Sequence, residues 1–117
     1  MKRLALLAVA VLVLVPVSTV RAHSLLLSSV PSAGSVVSGP SGVTLHFNNR
    51  IEKKLSTIRL VDERGGVRPV TMLADGPADR LTASVPSLDP GAWRVEWRVL
   101  STDGHVVSGR FSFRVAR

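Results

Sequence analysis

Hydrophobic and polar side chains alternate in step over three stretches of this chain. Val43, Leu45 and Phe47 are interleaved with Thr44 and His46; Trp93, Val95, Trp97 and Val99 with Arg94, Glu96 and Arg98; and Phe111, Phe113 and Val115 with Arg110, Ser112 and Arg114. Successive side chains of an extended strand point to opposite faces, so each stretch predicts a strand with one buried and one wet face. Ile58 with Leu60 marks a fourth core strand, and helical periodicity is absent. Clusters of turn formers separate the runs, among them Pro31-Ser32-Ala33-Gly34-Ser35, Ser38-Gly39-Pro40-Ser41-Gly42, Gly65-Gly66, Asp75-Gly76-Pro77 and Asp89-Pro90-Gly91. The spacing predicts about seven strands, near residues 24–29, 43–49, 54–62, 67–73, 80–85, 91–100 and 106–115. An all-β two-layer sandwich or Greek-key barrel accommodates them, and 117 residues leave room for one such core.

The pattern changes at the start. Lys2 and Arg3 precede an unbroken apolar run from Leu4 to Val15, which Pro16 ends. A bilayer span needs roughly 20 apolar residues and the apolar core of an export signal about 7–15, so residues 1–22 read as a cleavable signal. The cut is expected after Ala22, leaving residues 23–117 as a single domain that begins His23-Ser24-Leu25, outside the cytoplasm.

Cleavage removes three of the 15 lysines and arginines and no acid, lowering the formal charge from +7 to +4. The remaining cations alternate with apolar residues, as on a solvated strand face, and no basic run or aromatic nucleic-acid motif accompanies them. Nucleic acid is therefore not an expected partner; solubility, or docking to an acidic or membrane surface, suits the charge better. With no cysteine, the chain has no disulfide, thiolate metal site, thiol nucleophile or lipid-anchored cysteine.

The groups left to carry chemistry are His23, His46, His105 and Met72. At a new N-terminus His23 offers both its α-amine and its imidazole, which together close a chelate ring on one metal ion; by position alone it reads as a frayed end, and a partner is needed to overturn that. Asp103-Gly104-His105 sets a carboxylate and an imidazole two residues apart between two strongly patterned strands, although Asp-Gly by itself is a hairpin turn. Taken together, an amine, two imidazoles and a carboxylate form an N3O set that suits tetragonal Cu(II) better than zinc. His46 alternates against Val43, Leu45 and Phe47 and is expected to face solvent, while Trp93 and Trp97 share the phase of Val95 and Val99 and are expected in the core.

The run GAWRVEWRVLSTDGHVVSGRFSFRV from Gly91 to Val115 resembles the C-terminal signature of the CopC copper-resistance family. Ala22-His23-Ser24, the proline turn Ser29-Val30-Pro31-Ser32-Ala33-Gly34-Ser35 and Val43-Thr44-Leu45-His46-Phe47 are similar to that family's start, so the likeness covers essentially all of residues 23–117. The resemblance implies a cupredoxin-like, Ig-like β-fold that carries copper in the periplasm or outside the cell, with Cu(II) on His23, Asp103 and His105. It also implies a monomer that serves copper homeostasis, resistance or delivery to a CopD-like inner-membrane copper transporter. The chain departs from the family pattern at Asn48-Asn49, where relatives often carry an acidic residue, and lacks the methionine-rich loop that binds Cu(I) in some members; Met72 alone does not replace it.

Two other functions fit parts of the pattern. A metal-free Ig-like interaction module needs the same strands but neither His23 nor His105. A copper oxidoreductase with a histidine brace needs an open coordination position, which Asp103 fills, and a broad substrate platform, for which 95 residues give little room. An enzyme is accordingly not expected.

Overall fold

A computed structural model of the chain describes residues 25–117, so His23 and the expected signal, residues 1–22, lie outside the described residues. Nine strands form among these residues: β1 (Leu26–Val30), β2 (Val36–Val37), β3 (Gly42–Phe47), β4 (Thr57–Val61), β5 (Val67–Arg68), β6 (Thr71–Leu73), β7 (Arg80–Ser84), β8 (Gly91–Leu100) and β9 (Val106–Val115). They build a four-stranded sheet in the order β1-β3-β7-β6 and a five-stranded sheet in the order β2-β9-β8-β4-β5. The all-β sandwich expected from the alternation is what forms.

The two longest strands occupy the residues the alternation marks, β8 and β9 pairing antiparallel from Gly91↔Val115 to Leu100↔Val106. Differences appear where the pattern is short. The expected strand over 67–73 divides at Pro69: β5 pairs with β4 in one sheet, and β6 with β7 in the other. Proline has no N–H to give to a ladder, so the chain uses that position to cross between layers. The expected strand over 54–62 begins with a 3-10 turn, Lys53–Leu55, and the strand itself is Thr57–Val61. β2 escapes the pattern because it is two residues long and takes its register from a distant parallel partner, Arg114 and Val115.

The core lies between the sheets and is filled by the in-phase residues of the alternating runs. Val43, Leu45 and Phe47 of β3 and Leu81 and Ala83 of β7 meet Ile58 and Leu60 of β4, Trp93, Val95, Trp97 and Val99 of β8, and Phe113 and Val115 of β9. The Phe47 and Trp97 rings meet edge to face across the layers, 5.3 Å between centroids. Trp93 keeps its indole N–H satisfied on the Asp89 carbonyl at 2.9 Å. Met72 packs against this core from β6.

Gly109 faces Trp97 across the β8–β9 ladder, and a Cβ there would sit 2.3 Å from the indole Cζ2. The contact is with a ring held in the core, so no flexible tip can move aside. Gly109→Ala is expected to destabilise the fold by about 1–3 kcal/mol, the range for overpacking a tight site, read as a lowered unfolding midpoint.

Candidate metal centre

The β8–β9 hairpin closes through Ser101 to His105. The Ser101 N–H donates to the His105 carbonyl at 2.9 Å and the Gly104 N–H to the Ser101 carbonyl at 2.9 Å. Gly104 takes a φ of +88°, which side chains with a Cβ rarely adopt, and this reversal brings His105 back beside Asp103. Asp103 and His105 therefore meet in a tight turn.

Asp103 Oδ1 gathers three contacts: the Ser101 hydroxyl donates to it, the His105 N–H donates to it at 3.2 Å, and His105 Nδ1 lies 3.2 Å away. These hold the Asp103 carboxyl down at about 2, the Ser101 hydroxyl contributing most, then the His105 backbone and the His105 ring. The side chains of Asp103 and His105 are 41% and 53% exposed, so both can reach a ligand from solvent. Ser101, by contrast, is buried, and its place is fixed by a bridge to Ile51.

Because the folded value lies below that of an ordinary aspartate, this group favours the folded turn above about pH 4 and the benefit is lost as the pH falls towards 2. A carbon-detected titration is expected to place the Asp103 midpoint near 2, and Ser101→Ala to move it upwards. An unchanged midpoint in that variant would remove Ser101 from the account.

The segment after β3 joins this turn to the start of the described chain. The Leu25 N–H donates to Asn48 Oδ1 at 2.7 Å, and the Asn48 N–H donates back to the Leu25 carbonyl at 3.0 Å. Two residues on, the Arg50 carbonyl accepts the Thr102 N–H at 3.2 Å, and the Glu52 N–H donates to the Leu100 carbonyl at 2.8 Å. Residues 48–52 thus bind Leu25 at one end and the entry to the Asp103 turn at the other. Two residues of chain reach at most about 7 Å, which bounds how far position 23 can lie from Leu25.

Of the three ligands expected from the sequence, the described residues bring together Asp103 and His105; His23 lies outside them, and no group of three or more metal-binding side chains occurs among the described residues. His46 does point away from the core, yet it is not simply solvated: Nε2 lies 3.1 Å from Asp79 Oδ2 and the side chain is half-buried. That pair sits on the four-stranded sheet. Sequence reasoning passed over Ser101 and Asn48. A hydroxyl two residues before the aspartate of an Asp-Gly turn was the available sign for Ser101, and Asn48 was visible only as a departure from the family pattern.

The family model of the CopC domain matches residues 26–116. Copper resistance protein C of Pseudomonas syringae pv. tomato is 32% identical over 111 residues, covering 81% of this chain and 82% of its own, and protein YobA of Escherichia coli K12 is 30% identical over 101 residues, covering 83% and 82%. Among solved structures, CopC from Methylosinus trichosporium OB3b superposes with a TM-score of 0.75 at 36% identity, over 80% of this chain and 94% of that one. PcoC, a methionine-rich copper resistance protein from Escherichia coli, gives 0.72 at 28% identity, over 80% and 99%. On the match to the family model across its sandwich and on these relatives, the chain belongs to the CopC domain family.

Proposed function

We propose that this protein is exported, loses residues 1–22, and carries one Cu(II) ion between the α-amine and imidazole of His23, the carboxylate of Asp103 and the imidazole of His105. The observation that supports this reading is that Leu25, two residues after His23, and the strand end and turn that carry Asp103 and His105 are tied to the same segment, residues 48–52. Relatives named for copper resistance support the choice of metal. The carboxylate is already ionised at any physiological pH and fixed by Ser101, so a cation meets a negative oxygen with its orientation set.

Hard nitrogen and oxygen donors favour Cu(II). PcoC is a methionine-rich copper resistance protein, whereas residues 23–117 contain a single methionine, Met72, which packs against the core, so the reading includes no Cu(I) site. The role follows as binding rather than catalysis: periplasmic or extracellular copper homeostasis, resistance, or handing copper to a CopD-like membrane transporter, as a monomer.

Titration of the exported protein with Cu(II) is expected to saturate at one equivalent with a tetragonal paramagnetic spectrum, and intact mass to begin at His23. Retention of residues 1–22 in the exported protein, or Cu(I) binding of equal tightness, would sink this reading.

A further inference from the structure

The wet face of the five-stranded sheet carries a charge arrangement that the copper reading does not use. Cross-strand partners share a face, and the registers Arg59↔Glu96↔Arg110, Thr57↔Arg98↔Ser108 and Arg94↔Ser112, with Arg114 beside Ala92, align five arginines on the face opposite Ile58, Val95 and Phe113. Glu96 is the one carboxylate in this array, and it is already engaged by Arg94 at 3.0 Å and Arg59 at 3.7 Å. Among the described residues Arg98, Arg110 and Arg114 make no ion pair. Between Arg59, Arg98 and Arg110 lies an open recess that Thr57, Ser108, Gly109 and Trp97 also line.

We propose that this face docks on an anionic phospholipid surface, its arginines binding lipid phosphate groups. The charge complementarity is direct: guanidinium forks match phosphate oxygens in pairs, and the face supplies five of them against one neutralised acid. The distribution of apolar residues selects a headgroup layer over a protein partner. A protein interface has an apolar centre and a polar rim. Here the centre is charged, and the exposed apolar residues of the face are single valines at its margins, Val36 beside β9, Val67 on β5 and Val106 at the hairpin end. Guanidinium groups spread across three strands of an open sheet can meet a plane of phosphates together. Arg98 and Ser108 lie two register positions from the Leu100↔Val106 pair that leads into the Asp103 turn, so docking on this face holds that turn close to the membrane plane.

The test is flotation of the metal-free exported protein with phosphatidylcholine vesicles, with and without phosphatidylglycerol, which keeps the result independent of copper binding. Partition onto the anionic vesicles is expected at low salt and is expected to fall as salt rises. R59S/R98S/R110S should lower it about 100-fold, the expectation for three surface arginines near an anionic bilayer. K54S/R64S/R80S removes the same charge from other parts of the surface and should partition like the parent. E96Q frees Arg59 and Arg94 and should strengthen binding. Circular dichroism confirms that each variant is folded. Equal losses in the two triple variants would reduce the effect to net charge and overturn the proposal, as would a folded R59S/R98S/R110S that still floats, or binding to polyglutamate without binding to anionic vesicles.

Discussion

One residue added ahead of His23 is expected to weaken Cu(II) binding by at least about 100-fold while the unfolding midpoint of the metal-free protein stays where it was. The size of the loss follows from the chelate. The α-amine of His23 exists as a ligand only at a free terminus, and an added residue converts it to an amide that no longer offers a basic nitrogen. Removing a group that merely orients a metal ligand typically costs about 10–100-fold in affinity, so losing a ligand itself sets that range as a floor. Insensitivity of the fold follows from the clamp: the reciprocal pair between Leu25 and Asn48 is the first tie described, and the extension lies upstream of it. Competition titrations of the two forms at one pH decide the matter. Equal affinity would mean that the terminal amine is not a ligand, and the copper reading would lose its chelate.

His105→Ala is expected to have the second largest effect, a loss of Cu(II) affinity of at least about 100-fold, with His46→Ala leaving affinity unchanged. His105 is half exposed, and its ring lies against the carboxylate proposed as its co-ligand. His46 is tied to Asp79 at 3.1 Å on the other sheet, so its removal takes away a surface pair worth about 0–1 kcal/mol of stability and nothing from the metal. Spectra of the two variants at one equivalent of Cu(II) distinguish them, because only His105→Ala should lose an equatorial nitrogen. The reverse ranking would move the site to the four-stranded sheet. Affinity in the parent should fall on acidification because protons compete for the amine and imidazole nitrogens, and not because Asp103 is neutralised, since its carboxyl is held at about 2.

By itself, the sequence determined the strands whose alternation is long. Over ten residues of β8 and ten of β9, burial of one face and solvation of the other leave a single workable register, because a slip of one position would turn Trp93, Val95, Trp97 and Val99 outwards. It also supplied the candidates for a metal site, because only three histidines are present and Asp103-Gly104-His105 is a local motif. Tertiary structure decided what depends on residues far apart in the chain. The division at Pro69, the parallel register of β2 and the space that Gly109 leaves for Trp97 are set by partners in other strands. Asn48 holding Leu25 and Arg50 holding Thr102 are likewise contacts between distant segments, whose energies depend on distance and burial, which no local pattern of residue types encodes. The alignment of five arginines on one wet face has the same origin, since each belongs to an ordinary alternating strand and only the ladder registers bring them together.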